Sequence, residues 1–338
     1  MCKKIYIITN ESFYSENENF FCDNIDLKSI PEELNRNNKV CIIGRKSKKI
    51  RTKKVDIEDL KIHNNIIFYL FSLIRSFTER DSKYLIISIS PFTFIASIIL
   101  KLFLKKHFIY LRSDGYEEYK AILGPVGVII YHFMFVISAI NSNLISCRKH
   151  ILKKNKGEIV HPSQLSEKWF LPVKRINFNE IKLLYVGRVR VEKGIFSLLK
   201  MINNTDIKLT IVTSEKKVKL DKTQKNVSII SYENVEDSII KFYDEHTIFI
   251  LPSYTEGHPQ VLDEALARNR PVIVFEEISH VLRDRKGVFI SKRDLNSLKD
   301  TIDFIKNNIE KITNQIKNNN LPTKKNFIKE LRQIIFKD

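Results

Sequence analysis

Short runs of β-branched and aliphatic residues alternate with helix-length segments along almost the whole chain. In the first half the runs are KIYIIT, KVCIIG, YLIISI, HFIYLR, NLISC and EIVHPS. Between them the spacing predicts a helical stretch through Glu32 and Leu34, a helix through Phe71 and Ile74, a helix over Phe94 to Leu104, a long apolar helix after HFIYLR, and a helical RKHILKK. The pattern pauses from about Gln164 to Asn179, around Trp169 and Pro172. It resumes with IKLLYVG, IKLTIVT, VSIIS, TIFILPS, PVIVF and GVFIS. Ile195, Leu198, Leu199 and Ile202 fall at i, i+3, i+4 and i+7, the signature of an amphipathic helix. Further helices are predicted around Ile239 and from Pro259, and Lys324 to Phe336 reads as a final amphipathic helix.

Strands alternating with helices imply α/β architecture, a parallel sheet covered on both faces. At 338 residues the chain has room for two such domains. The prediction is two Rossmann-like, doubly wound lobes: residues 1–163, a linker at 164–180, a second lobe at 181–320, and a helix within 321–338 that packs back on the first lobe.

Composition removes other classes. Hydrophobic residues make up 43% and aromatic residues 10%, too many for a disordered chain. Nine glycines and nine prolines exclude collagen-like and linker-rich architectures. The formal net charge of +18 accompanies a general richness in Lys, Asn and Ile, so it argues only weakly for an anionic partner. Cys2, Cys22, Cys41 and Cys147 show no CxxC and no zinc-type Cys/His spacing, which fits buried thiols in a reducing compartment. The apolar run in MCKKIYIITNESFY is too short for a signal peptide and reads as a first strand. Leu85 to Leu100 and Ala121 to Cys147 raise the question of a membrane span, the second holding no Asp, Glu, Lys or Arg. Pro91 breaks the first, and Gly124, Pro125, Gly127 and His132 interrupt the second; core or membrane-surface helices are expected instead.

The densest chemical signal is LPSYTEGHPQVLDEALARNRPVIV, Leu251 to Val274. A buried strand ends near Pro252, a polar loop carries Glu256, Gly257 and His258, and Pro259 suits the first position of a helix, where its missing N–H costs nothing. In open α/β sheets ligands sit beyond the carboxyl ends of the strands. A helix start there offers unpaired N–H groups to a phosphate, and Gly257 lets a ligand approach the backbone. Glu256 and Glu264 bracket that point, and carboxylates accept from paired hydroxyls such as those of a ribose or hexose. Cations to offset a diphosphate come from a second turn, LLYVGRVRVEKGI, with Gly187, Arg188, Arg190, Lys193 and Gly194.

These two turns resemble the nucleotide-sugar-binding lobe of GT-B glycosyltransferases, the large retaining class called family 4 or glycosyl transferases group 1. The likeness covers roughly Ile181 to Ile290. It rests on Gly187-Arg188 followed by Lys193-Gly194, and on Glu256 and Glu264 with seven residues between them. The resemblance implies a GT-B fold with its lobes facing across a cleft, and transfer of a hexose-type sugar, with retention, from a nucleotide diphosphate donor to a polysaccharide, lipopolysaccharide or lipid-linked acceptor. It implies that Arg188 and Lys193 neutralise the diphosphate, that Glu256 meets donor-sugar hydroxyls, that Glu264 holds the ribose, and that His258 and Pro259 line the phosphate loop with Gly187 and Gly257. No D-x-D occurs, so no metal and no cofactor beyond the donor is expected.

In the first lobe the place of the family's Gly-rich loop reads TNESFYSENENFF, without glycine. Where members carry a histidine, often before an aspartate, this chain has Arg112-Ser113-Asp114-Gly115; Asp114 matches the aspartate and, with Arg112 and Ser113, is the candidate on the acceptor side. Glu117 and Glu118 follow closely. RKSKKIRTKK, Arg45 to Lys54, places seven basic residues and no acid in ten positions. Read as a loop after KVCIIG, it suggests peripheral docking on an anionic cytoplasmic membrane surface, extended by Lys101, Lys105 and Lys106 with Phe103 and Leu104. No RNP-like basic stretch points to specific nucleic acid. The alternatives are a GT-B sugar-nucleotide epimerase or phosphorylase, and a basic membrane- or RNA-binding scaffold with a decayed site.

Overall fold

The structure is a computed structural model. It describes residues 4–173, 178, 180–215, 224–231, 236–256 and 258–337. The chain divides into two compact units, Met1–Pro162 with Lys324–Asp338, and Ser163–Thr323.

The first unit is built on β1 (Ile5–Glu16), β2 (Asn19–Cys22), β3 (Val40–Lys46), β4 (Lys53–Val55), β5 (Asp59–His63), β6 (Lys83–Ile87), β7 (His107–Leu111), β8 (Asn143–Ser146) and β9 (Glu158–Ile159). Its helices are α1 (Ile25–Asn35), α2 (Ile66–Arg75), α3 (Pro91–Leu102) and α4 (Gly115–Ala139), with Lys324–Phe336 returning at the end of the chain. Seven parallel strands run in the order β5-β3-β1-β6-β7-β8-β9. The chain starts in the middle, winds out through β3 and β5, then reverses and winds out through β6, so the sheet is doubly wound.

The period of two along each strand divides the core. Ile5, Ile7, Leu85 and Phe108 face Leu27, Ile30 and Leu34 of α1 and Phe327 and Leu331 of the returning helix. Tyr6, Ile8, Ile86 and Ile109 face Tyr69, Leu73, Leu100, Tyr131 and Phe135 of α2, α3 and α4. Strands such as β6 and β7 are buried at every position because both faces are covered, which is why they read as unbroken apolar runs.

Three predicted features differ. TNESFYSENENFF does not form a loop: β1 continues through it and turns at Asn17 and Glu18, both with positive φ, into antiparallel β2, which pairs in turn with β4. The basic run is correspondingly the end of β3, a short connection and the start of β4. Arg45 stacks 4.9 Å from the Phe92 ring and Arg51 pairs with Asp23, leaving Lys46, Lys48, Lys49 and Lys54 exposed. RKHILKK provides only a 3₁₀ turn, Lys149–Leu152.

The long apolar helix α4 is broken. Gly124 has φ 63° and ψ −150°, outside helical space, and Pro125 follows. A Cβ on Gly115 would come within 2.0 Å of the Tyr131 ring, and one on Gly127 within 2.1 Å of the Tyr119 carbonyl oxygen. Residues 115 and 131 of a straight helix would stand ~24 Å apart. α4 is therefore a helical hairpin, with arms at 115–123 and 125–139 packed through Tyr116, Tyr119, Tyr131 and Phe135.

The second unit carries β10 (Lys182–Val186), β11 (Lys208–Thr213), β12 (Val227–Ser231), β13 (Ile248–Leu251), β14 (Val272–Phe275) and β15 (Val288–Ser291), with α5 (Ile195–Met201), α6 (Glu236–Glu245), α7 (Gln260–Ala267), α8 (Leu295–Asn307) and α9 (Ile309–Ile316). All six strands are parallel, in the order β12-β11-β10-β13-β14-β15. The winding reverses between β10 and β13. Leu165 and Trp169, from the stretch read as a linker, are buried in this unit's core. Trp169 packs edge-on at 5.5 Å from Tyr243, and Arg268 donates to the carbonyls of Trp169 and Leu171 at 3.0 and 2.9 Å.

Gly127→Ala is expected to lower the unfolding midpoint, at the ~1–3 kcal/mol typical of overpacking, because its Cβ meets backbone that cannot swing aside. An unchanged midpoint in thermal or denaturant melts would mean that the two arms of α4 do not pack this closely.

Candidate functional site

Both motif-bearing turns of the second unit lie at the carboxyl ends of β10 and β13, neighbours in the sheet on either side of the reversal. In a doubly wound sheet the reversal opens a crevice, because the connections on its two sides leave in opposite directions. β10 ends at Val186 and delivers Gly187, Arg188 and Lys193; β13 ends at Leu251 and delivers Ser253, Glu256 and His258.

The turns are tied to each other at three points. Gly194, with φ 65°, leaves no room for a side chain: a Cβ there would lie 1.8 Å from the Pro252 carbonyl oxygen. Tyr254 N donates to the Glu192 carbonyl at 3.0 Å. Lys193 Nζ donates to Glu256 Oε1 at 2.7 Å, and Ser253 Oγ donates to the same oxygen at 2.7 Å. The sequence-predicted cation and the first glutamate of the pair thus meet directly.

Arg188 is exposed, and its guanidinium makes no hydrogen bond or ion pair among the described residues; its carbonyl accepts from Tyr185 Oη at 2.7 Å, which fixes the turn beneath it. Arg190 is occupied by Glu215, at 3.2 Å, while the same carboxylate accepts from Val189 N. Gly187 is half-buried at the head of this turn. Gly257 lies outside the described residues.

Pro259 stands one position earlier than predicted. With ψ 105° it is the N-cap residue of α7 rather than its first helical residue, and Leu262 N donates to its carbonyl at 3.2 Å. Its ring still fixes φ at −73°, a value suited to the entry of a helix. His258 is nearly buried, with Nε2 3.7 Å from Asp263 Oδ2. Arg285 clamps Asp263 from the far side, at 2.6 and 2.9 Å, so the histidine stands beside a buried bidentate ion pair.

Glu264 lies just over one turn into α7 and accepts from Tyr243 Oη at 2.8 Å. Burial of the carboxyl pushes its pKa up to about 7, against the downward pull of the Tyr243 hydroxyl and with the Asp263 charge adding upward. Near neutral pH this group therefore changes charge, unlike an ordinary glutamate.

Motif reading missed several supporting residues. Arg293, after β15, donates to the Pro252 carbonyl at 3.0 Å, pairs with Glu277, and is stacked between Tyr254 and Phe275 at 4.2 and 4.4 Å. His280 reaches the Glu256 carbonyl at 2.8 Å. Tyr243 belongs to α6, far from either motif. None of these follows a spacing rule; each reaches the site only through the order of the strands.

In the first unit Arg112, Ser113 and Asp114 follow β7. Arg112 lies 3.8 Å from the buried Asp26, Ser113 donates to Glu118, and Asp114 caps α4 by accepting from Tyr116 N at 3.0 Å. Asp114 also pairs with Lys153 at 3.2 Å, and His150 stands 3.9 Å away. These contacts make the turn a stable helix entry.

Comparison with known proteins finds glycosyltransferases both by sequence and by fold. The capsular polysaccharide biosynthesis glycosyltransferase CapM of Staphylococcus aureus is 28% identical over 181 residues, 49% of this chain and 44% of that protein. The putative teichuronic acid biosynthesis glycosyltransferase TuaC of Bacillus subtilis (strain 168) is 36% identical over 91 residues, 27% of this chain and 23% of that protein. The matches therefore span less than half the length of these relatives. Among solved structures, Anabaena HepE in complex with UDP-glucose is similar with a TM-score of 0.66 at 9% identity, covering 98% of both chains. Sucrose-phosphate synthase of Thermosynechococcus elongatus gives 0.61 at 14% identity, covering 98% of this chain and 95% of that one. The fold is α/β of the GT-B type, and residues 168–321, essentially the second unit, match the family described as glycosyl transferases group 1.

Proposed function

We propose that this chain is a glycosyltransferase that moves a hexose-type sugar, with retention of configuration, from a nucleotide diphosphate donor to a polysaccharide, lipopolysaccharide or lipid-linked acceptor of the cell envelope. The observation that carries this reading is the convergence of Lys193, Glu256 and the start of α7 where the second sheet reverses. Support comes from the family match and from the cell-envelope glycosyltransferases it resembles, and from HepE having been solved with UDP-glucose.

In this reading the diphosphate lies between the turn after β10 and the N-terminus of α7. Arg188 supplies an exposed guanidinium, and Lys193 a point charge that leaves Glu256 for phosphate as the donor binds. Glu256 then accepts from donor-sugar hydroxyls, and Glu264 accepts from the ribose. The negative charge that grows on the diphosphate as the glycosidic bond breaks meets fixed positive groups, which lowers the barrier without a metal ion. Gly187, Gly257, His258 and Pro259 complete the donor loop. For Arg112, Ser113 and Asp114 the contacts favour a positioning role on the acceptor side, holding the entry to α4. The enzyme works in the cytoplasm, docked peripherally on an anionic membrane surface.

Arg188→Ala and Lys193→Ala are each expected to reduce kcat by about 100-fold, the scale of losing one preorganised charge partner of a transition state, while Glu264→Ala mainly weakens donor binding. Wild-type rates and affinities in all three variants would remove the site assignment.

Transfer is expected to persist in excess chelator, since the sequence has no D-x-D and cations face the diphosphate. Complete loss that returns on adding a divalent ion would refute metal independence.

The raised pKa of Glu264 gives signed pH effects. An acid whose folded pKa of about 7 exceeds its ordinary 4.5 destabilises the fold progressively as pH rises through that interval, so the melting midpoint falls and Glu264→Gln removes that part of the slope. Ribose hydroxyls donate to the ionised carboxylate, so affinity for UDP-glucose, whose diphosphate has no ionisation in this range, should rise by about tenfold between pH 6 and 8. A pH-independent affinity in calorimetric titrations of the wild type would show that Glu264 does not meet the ligand.

A further inference from the structure

α2, α3 and the α4 hairpin lie side by side over one face of the first sheet, and their outer surfaces are apolar where a water-facing layer would be polar. α2 buries Tyr69 and Leu73 against the sheet yet turns Ile67 and Phe71 outward, 72% and 63% exposed. Leu102 and Leu104, at the end of α3, are 74% and 92% exposed. Around the hairpin apex Ile122, Val126, Ile129 and Phe133 are exposed as well. Phe94 of α3 touches Phe133 of α4 at 5.9 Å, and Phe103 touches Phe77, just after α2, at 5.1 Å, so the layer is continuous. A helix apolar on all sides is ordinarily covered on all sides, and an exposed patch of this breadth marks a contact surface.

We propose that this helical layer is the face seated on the membrane, with the apex of the α4 hairpin inserted among the lipid headgroups and upper acyl chains. The inference rests on the peripheral placement proposed above and assigns its contact surface. Three observations favour lipid over a protein partner. From Ala121 to Cys147 no residue carries a full charge, whereas a protein interface ordinarily keeps a polar rim. The lengths suit a shallow site: although Gly115–Ala139 has the length and hydropathy of a span, the break at Gly124 divides it into arms of ~13 and ~22 Å, both short of the ~30 Å hydrocarbon core. The border is cationic: Arg75 ends α2, Lys106 follows Leu104, and Lys120 precedes the apex, all exposed, which complements anionic headgroups. Glu117 and Glu118 lie at the base of the first arm, away from the apex.

This assignment moves the contact away from the basic run. Arg45 and Arg51 are engaged within the fold, and Lys101 is tucked against the Ser138 carbonyl at 2.9 Å at the end of α4, so it does not face outward as the sequence suggested. Lys46, Lys48, Lys49 and Lys54 contribute longer-range, salt-sensitive attraction instead.

The full chain should co-float with phosphatidylcholine vesicles containing phosphatidylglycerol. Combining Ile122→Ser, Val126→Ser and Ile129→Ser should cut partitioning by about tenfold or more, since loss of buried apolar groups weakens interfacial binding, with the melting midpoint retained. Changing Lys46, Lys48, Lys49 and Lys54 to Gln should reduce only the part of binding that salt also removes. Independently, Val126→Trp should give an indole whose emission shifts to the blue on vesicles and is quenched by lipids brominated in the upper acyl chain. If the wild type ignores anionic vesicles, peripheral placement fails and this inference with it. If the wild type binds but the serine variant binds equally and the indole is not quenched, the contact face alone is wrong. A wild type that dimerises without lipid, with a monomeric serine variant whose vesicle binding is unchanged, would make the layer a protein interface and overturn the proposal.

Discussion

Gly194 can rest against the Pro252 carbonyl only because nothing projects from its Cα. That contact lets the turn leaving β10 and the turn leaving β13 share one small volume, and much else follows from it. Lys193 comes within reach of Glu256, the amide of Tyr254 finds the Glu192 carbonyl, and Arg293 can brace the Pro252 carbonyl from behind. The parallel sheet supplies the frame: its reversal between β10 and β13 is what puts residues about sixty positions apart at adjacent strand ends. A larger residue at 194 would separate the cation from the carboxylate before it disturbed the core of either neighbouring strand.

Strands buried on both faces were legible because burial writes itself as a continuous apolar run, and β10, β13 and β14 are of this kind. β5 was not legible, since Asp59, Lys61 and His63 alternate with Leu60 and Ile62 on a strand at the edge of the sheet. The β1–β2 turn uses Asn17 and Glu18 at positive φ, without the glycine that normally announces such a turn. In α4 the apolar run concealed a fold-back whose cause was present as Gly124-Pro125, but whose closeness depends on Gly115 meeting a side chain sixteen residues away and Gly127 meeting backbone eight residues away in the chain.

The same division holds at the site. Arg188, Lys193, Glu256 and Glu264 could be found because they are spaced along the chain around two turns. Tyr243, Arg285 and Arg293 could not, because their link to those turns is made by strand order and helix packing. Chemistry that depends on local backbone shape leaves a motif. Support contributed from a neighbouring helix or a distant strand leaves none.

The helix Lys324–Phe336 completes the core of the unit that the first half of the chain began, with Phe327 and Leu331 fully buried there. Synthesis therefore produces the two units in an order opposite to their completion. The second unit has all its strands and core helices in hand while the first still exposes the apolar face of α1 and of strands β1, β3 and β6. Its maturation waits for Lys324–Phe336 to emerge, so the unit that was begun first closes after the second.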